Sequence, residues 1–222
     1  MARNLHDDAV LVIGLGRFGA ALSQGLARLG HDVLAVDSDG ERVQEWSGRL
    51  THVVEADATS EDTMRQLGAQ DFRFAVVAIG DDIEVSLLSA GVLVDLGVQE
   101  VWAKAITPAH GRILSRIGAQ HVIYPERDAG ARVAHLLTGR LIDFIEFDDG
   151  FAIVKLRAPR EAQGRTLGEI GLRRKYGVTI VGVKRPGQDF TYATPDTRVD
   201  GGDLLIVSGA TDLVEKFAAE TS

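Results

Sequence analysis

The chain contains no cysteine, which excludes disulfides, a thiolate nucleophile and cysteine-based zinc sites. It has no basic excess: 24 lysines and arginines stand against 32 aspartates and glutamates, a formal net charge of −8. Neutralising a nucleic-acid backbone requires a basic surface, so nucleic acid is not an expected partner. No apolar run reaches the roughly 18 residues that a membrane-spanning helix needs. The richest stretch, VSLLSAGVLVDLG, is interrupted by Asp95. The opening MARNLHDDAV has no apolar signal region. These absences lead us to expect a soluble, cytoplasmic protein without direct membrane insertion, whose membrane role, if any, runs through a partner. Aromatic residues make up only 6%, but hydrophobic residues reach 45%, enough for a core. A chain of 222 residues fits one domain of about 140 residues and a smaller one of about 75.

Strand and helix patterns alternate from the start. AVLVIG (9–14) is a continuous apolar run, as in a strand buried on both faces. Phe18, Leu22, Leu26 and Leu29 follow at helical spacing, and Gly30 ends that helix. Further strands are expected over 32–37, 51–57, 74–80, 100–105 and 121–125. Between them, Ser38 and Glu41 offer a capping box, Thr59 a helix cap, and Thr107-Pro108 a helix start that runs to Gly118. Six alternating strands predict an α/β fold, a Rossmann-like, doubly wound, parallel six-stranded sheet. Residues 126–145 read as a longer amphipathic helix with Val133, Leu136, Leu137, Leu141 and Phe144 on its apolar face, and EFDDG (146–150) reads as a linker. The remainder is mostly β, with a short helix near 166–172 and a last helix from Thr211, a small α+β module. The expected division is 1–125, then helix and linker over 126–148, then 149–222.

LVIGLGRFGAAL (11–22) carries the sharpest signal. Gly14-x-Gly16-x-x-Gly19 lies between an expected strand and an expected helix. Gly14 allows the tight turn, Gly16 lets backbone approach a pyrophosphate, and Gly19 lets the helix pack close to the sheet. Asp37 ends the next strand, where a carboxylate accepts from both ribose hydroxyls and repels a 2′-phosphate. Arg17 is either a solvated side chain or a cation for a terminal phosphate. Asp57, Ala58 and Thr59 follow the third strand, near the expected adenine position. Ala78, Ile79 and Gly80 close the fourth, Lys104 lies in the fifth and Glu126 follows the sixth. With Leu15, Phe18 and Ser38 these make the candidate binding set. Open α/β sheets bind ligands at these carboxyl ends.

The machinery of a dehydrogenase is missing. The histidines at 6, 31, 52, 110, 121 and 135 form no His-x-x-x-His pair, and there is no Tyr-x-x-x-Lys pair. Asp81-Asp82 reads as a helix cap rather than an acid–base pair. A nucleotide cradle without reaction chemistry favours a regulatory protein over an enzyme. An NAD(H) sensor or NAD-dependent oxidoreductase on the same fold stays open, because Asp37 suits NAD and ATP equally.

VIGLGRFG, HDVLAVD, EADAT, VVAIGDD, VWAKA, YPERDAGARVAHLL, LRRKYGVTIVGVKR and GDLLIVSG together resemble the cytosolic gating subunits of bacterial potassium uptake systems. These are the KtrA/TrkA type, built from an RCK N-terminal (TrkA-N) domain and a TrkA-C domain. The resemblance covers nearly the whole chain. It implies a non-enzymatic homo-oligomer, dimers assembling into an octameric ring beneath a membrane-embedded potassium-conducting subunit of the KtrB/TrkH type. It implies ATP or ADP in the glycine cradle, with Arg17 of one subunit reaching the terminal phosphate held by its neighbour. It also implies a sodium or magnesium ion at Glu126 between paired subunits, and cyclic di-AMP in the second domain. For the last, Arg173, Arg174 and Lys175 with Pro195 could supply phosphate contacts, or simply form a solvated basic face. Thr179 and Ile180 depart from the pattern of the family's cyclic di-AMP binders.

Overall fold

The computed structural model describes residues 9–137, 141–147 and 149–220. Residues 1–8, most of the opening stretch MARNLHDDAV, lie outside the described residues. So do 138–140 of the expected long helix and Asp148 of the expected linker. The chain divides into two compact units, Met1–Glu126 and Arg127–Ser222.

The first unit alternates β1 (Val10–Ile13), α1 (Arg17–Arg28), β2 (Val33–Asp37), α2 (Gly40–Trp46), β3 (His52–Glu55), α3 (Glu61–Gln66), β4 (Phe74–Val77), α4 (Ile83–Asp95), β5 (Glu100–Lys104), α5 (Pro108–Ile117) and β6 (His121–Ile123). All six strands are parallel, in the order β3-β2-β1-β4-β5-β6. This is the doubly wound arrangement expected from the sequence. Because side chains alternate along a strand, β1 feeds two cores. Leu11 and Ile13 pack with Met64, Leu93 and Leu114. Val10 and Val12 join the opposite cluster, against which Phe18, Leu22 and Leu26 of α1 pack. Both faces being covered explains the unbroken apolar run. The order reverses at β1, which pairs with both β2 and β4, so a crevice opens there at the strand carboxyl ends.

Two caps differ from expectation by one residue. Asp39, not Ser38, caps α2 by accepting from the N–H groups of Glu41 and Arg42. Ser60, not Thr59, caps α3 by accepting from Thr63 N–H. In both cases the displaced residue sits in a turn closed by an aspartate carboxylate, which accepts a backbone hydrogen bond two residues on. Asp82 caps α4 and Thr107 caps α5 ahead of Pro108, both as expected, and Gly118 ends α5 in the left-handed region.

The expected helix over 126–145 is corrected. Helix α6 spans Pro125–Leu137, and Leu141–Phe147 forms strand β7. LIDFIEF is rich in β-branched and aromatic residues, and β7 pairs antiparallel with β8 (Phe151–Arg157) across a turn at Asp149-Gly150. Glu146 and Phe147 of the expected linker therefore belong to a strand. Leu141 and Phe144 are buried in the core of the second unit, whereas Val133 is exposed.

The rest of that unit comprises β9 (Arg165–Thr166), α7 (Leu167–Ile170), α8 (Leu172–Tyr176), β10 (Thr179–Lys184), β11 (Phe190–Tyr192), β12 (Arg198–Val199), β13 (Leu204–Ala210) and α9 (Thr211–Glu220). The expected single helix near 166–172 is two, broken at Gly171 with φ 64°. Strands form an antiparallel sheet in the order β11-β10-β13-β8-β7, beside a β12-β9 ribbon. Among the described residues no helix is long and apolar enough to cross a membrane.

Candidate functional site

The crevice at the β1 switch point is a cleft of about 610 Å³. Its floor is the glycine turn, where each glycine meets a different constraint. Gly14 has φ 95°, a region that side chains rarely adopt. A Cβ on Gly19 would lie 1.9 Å from the Gly14 carbonyl oxygen, so only glycine lets α1 sit this close to the turn. A Cβ on Gly16 would meet nothing within 4 Å, because it would point into open space. Gly16 is also the N-cap of α1. No side chain caps that helix, and no acidic residue lies in its first turn. Its N-terminal N–H groups and positive dipole end are thus available to an anion in the cleft.

Asp37 ends β2 and is 6% exposed. Its Oδ2 accepts from Leu15 N–H at 2.6 Å and its Oδ1 from Asp39 N–H at 2.9 Å. The carboxylate therefore fastens the glycine turn to β2. Leu15 contributes that N–H, while its side chain is buried in the core beside α1. Arg42 Nη1 lies 3.5 Å from Asp37 Oδ2.

At the end of β3, Thr59 donates to Asp57 Oδ1 from both its hydroxyl, at 2.7 Å, and its N–H, at 2.9 Å. These bonds, the hydroxyl's first, hold the Asp57 carboxyl below the usual carboxylate range. Asp57 and Ala58 line the cleft, and Thr59 acts from behind by fixing Asp57.

The far end holds a charged pair. Lys104 Nζ lies 2.6 Å from Glu126 Oε1 and 5.8 Å from the centre of the Phe18 ring. A Cβ on Gly80 would lie 2.9 Å from Lys104 Nζ, so Gly80 clears the path of the lysine. The hydrogen bond from Lys104 is the main cause holding the Glu126 carboxyl below its ordinary range, with the charges of Lys104 and Arg17 adding to it and burial opposing.

Of the sequence candidates, Gly14, Gly16, Arg17, Phe18, Asp37, Ser38, Asp57, Ala58, Ala78, Ile79, Gly80, Lys104 and Glu126 line this one cleft. Leu15, Gly19 and Thr59 support it without lining it. Three lining residues carry charge that sequence reasoning left out of the set: Arg42, Asp81 and Asp82. Arg42 could have been found as the cation in the first turn of the helix that follows Asp37. The lining then carries five carboxylates (Asp37, Asp57, Asp81, Asp82, Glu126) against three cations (Arg17, Arg42, Lys104). An anion entering it must be held by backbone N–H groups and a few specific cations rather than by net charge.

A second cleft of about 340 Å³ lies in the second unit, between α7, α8 and the loop after β11. Arg173 and Pro195 line it, and Arg174 does not. Lys175 is engaged elsewhere, 2.6 Å from Glu161 Oε2. Gly168 N–H donates to the Pro195 carbonyl at 2.8 Å and fixes that loop. Among the described residues no three histidine, aspartate or glutamate side chains converge as a metal site.

The TrkA-N domain family matches residues 10–125 and the TrkA-C domain family matches residues 151–222. Ktr system potassium uptake protein A of Bacillus subtilis (strain 168) is 35% identical over 217 residues, covering 97% of this chain and 98% of that protein. The crystal structure of the GsuK RCK domain shares the fold with a TM-score of 0.67 at 19% identity, over 99% of this chain and 49% of that one. The GsuK channel bound to NAD gives a TM-score of 0.65 at 19% identity, over 95% of this chain and 39% of that one. The chain thus spans less than half of these channel structures but nearly all of its potassium-uptake relative. Two domain matches in order, together with identity at this level along the full length, mean that the chain belongs to the TrkA-N/TrkA-C family of Ktr-type potassium uptake proteins.

Proposed function

We propose that this protein is a nucleotide-binding regulatory subunit of a membrane potassium transporter, and that it acts by changing how copies of itself fit together, with no bond made or broken. The observation that carries the reading is the convergence, in one cleft, of an uncapped helix N-terminus at Gly16, the buried carboxylate of Asp37 and the cations Arg17 and Lys104. Phosphates fit the first, a ribose diol the second and a phosphate tail the third. The relative's name supports potassium uptake as the setting; in this reading the protein forms a cytoplasmic ring, an octamer, docked beneath a potassium-conducting subunit of the KtrB/TrkH type.

ATP and ADP are the proposed ligands. Arg17 reaches the terminal phosphate held by a neighbouring copy, and a sodium or magnesium ion joins Glu126 to phosphate oxygens. Hard oxygen donors suit such an ion, and in this reading it lies between the Glu126 carboxylates of two copies. Gating is then a population shift, limited to the difference in affinity that a nucleotide has for the two ring states. Cyclic di-AMP is the corresponding proposal for the smaller cleft, with Arg173 and Pro195 as contacts.

An NAD(H) sensor or oxidoreductase is the second reading. Asp37 serves the adenosine ribose of NAD as well as that of ATP, and the fold is shared with GsuK, known in an NAD-bound form. Calorimetric titration of the purified protein with ATP, ADP, NAD and NADH, with its mass in solution, decides between them. The expected result is an oligomer that binds ATP and ADP with unequal affinity. Tight NADH with weak ATP, or turnover of a redox substrate, would replace the first reading with the second.

A further inference from the structure

The strand order fixes which part of a nucleotide lies where. The glycine turn follows β1, Asp37 ends β2, and Ala56, Asp57 and Ala58 follow β3, in the spatial order β1, β2, β3. Neighbouring strands are about 4.8 Å apart. A nucleotide with its phosphates on the turn and its ribose on Asp37 carries its base onward to the end of β3. The cleft wall there is made of small side chains. Among the described residues Phe18 is the aromatic one that lines the cleft, and it stands by Lys104 at the opposite end.

Helix α2 connects β2 to β3 and places Arg42 over this compartment. Its Nη1 is 3.5 Å from Asp37 Oδ2, its Nε is 3.3 Å from Asp39 Oδ2, and its side chain is 42% exposed. Each carboxylate oxygen has about two acceptor sites. Asp37 Oδ1 is used once, by Asp39 N–H; Oδ2 is used twice, by Leu15 N–H at 2.6 Å and by Arg42 at 3.5 Å. A ribose diol offers one O–H to each oxygen. The diol therefore needs the place that Arg42 holds, and that bond is the longest of the three.

We propose that Arg42 is the base-binding residue at the base end of the cleft. As the ribose takes its place on Asp37, the guanidinium keeps its hold on Asp39 and lies over the open face of the adenine ring. A guanidinium suits this because it is planar, weakly hydrated and stacks on aromatic faces, whereas an ammonium is a compact, strongly hydrated point charge. The assignment rests on the nucleotide reading above.

The test titrates the full chain and its R42A and R42K variants with ATP, ADP and inorganic triphosphate by calorimetry, with thermal melts to compare folding. R42A is expected to weaken ATP and ADP by a common factor of about 3 to 30. Triphosphate binding stays unchanged, and R42K does not restore the loss. Recovery in R42K would show that charge alone suffices and would overturn the assignment. So would equal or tighter ATP binding by R42A, because Arg42 would then only compete with the ribose. Wild-type protein that takes up no adenine nucleotide overturns the nucleotide reading and this assignment together; wild-type binding with R42A unaffected overturns the assignment alone.

Discussion

The Lys104 ammonium and the Glu126 carboxylate lie 2.6 Å apart at the mouth of the cleft, the lysine nearly buried and the glutamate exposed. The cation best placed for a phosphate tail is thus already engaged. An incoming triphosphate must share Lys104 with Glu126 and also tolerate that carboxylate nearby. We expect Glu126→Gln to tighten ATP binding about 5- to 10-fold in the presence of a chelator, since it frees the lysine and removes a like charge. Lys104→Met should act in the opposite direction. Calorimetry on both variants checks this, and an unchanged affinity in Glu126→Gln would place the phosphates away from Lys104.

The same pair predicts a pH dependence. Lys104 holds the Glu126 carboxyl below its ordinary range. A depressed carboxylate contributes stability above its unfolded pKa of about 4.3, and loses it as pH falls through the lower folded value. The difference in melting temperature between wild type and Glu126→Gln should therefore be constant from about pH 7 to 5 and shrink below about pH 4. Its size will be small, because Glu126 is mostly solvated. A difference that grows on acidification would contradict the pairing.

Gly16 and Gly19 separate ligand binding from folding. A methyl on Gly19 collides with the Gly14 carbonyl at 1.9 Å, so Gly19→Ala should unfold the first unit or cost several kcal/mol, of order 3 or more. A methyl on Gly16 touches nothing, so Gly16→Ala should change stability by about 1 kcal/mol or less. It should nevertheless obstruct close approach of phosphates to the helix N-terminus and weaken nucleotide binding. Thermal melts and titrations on the two variants read these effects separately.

Much of the first unit was legible because its signals are local and redundant. The continuous apolar run at Val10–Ile13, the three glycines and the Thr107-Pro108 start each point to one structure. What was missed depends on contacts distant in sequence or on one-residue choices. Asp39 and Ser60 each stand beside the residue expected to cap, and the choice is set by which aspartate closes the preceding turn. Leu141 and Phe144 extend a helical pattern by coincidence, since Leu137, Leu141 and Phe144 satisfy helical spacing while LIDFIEF also suits a strand. Pairing with Phe151–Arg157 decides it, and that partner is invisible to a helical reading. Arg42 was missed for a different reason: it lies only five residues beyond Asp37, but in the first turn of a surface helix it reads as a solvated charge until the turn between β2 and α2 brings it to Asp37.

The strand assignment of Leu141–Phe147 has its own test. Phe144 is buried, stacked 3.9 Å from the His135 ring, and packed among Val154, Leu156 and Phe217. Phe144→Ala should cost about 3 to 5 kcal/mol. Val133, on the same face of the helix that the sequence suggests, is half exposed, and Val133→Ala should cost about 0.5 kcal/mol or less. Equal costs in denaturant unfolding would favour one continuous helix.

Arg17 occupies a position that is poor for folding. It is the first residue of α1, is exposed, and makes no ion pair among the described residues. A cation at a helix N-terminus opposes the helix dipole, by about 0.3 to 1 kcal/mol. Arg17→Ala should therefore leave the melting temperature unchanged or slightly raised while weakening nucleotide binding. Besides the Glu126 carboxyl, whose range its charge helps to lower, the proposed reading gives Arg17 an incoming anion to meet. In the proposed ring that anion is the terminal phosphate of a nucleotide held by a neighbouring copy, so ATP should lose more affinity than ADP. A difference of about tenfold corresponds to one charge-assisted hydrogen bond. Equal losses for both nucleotides would remove Arg17 from the switch, and a clear drop in melting temperature without nucleotide would mean that the arginine stabilises the fold instead.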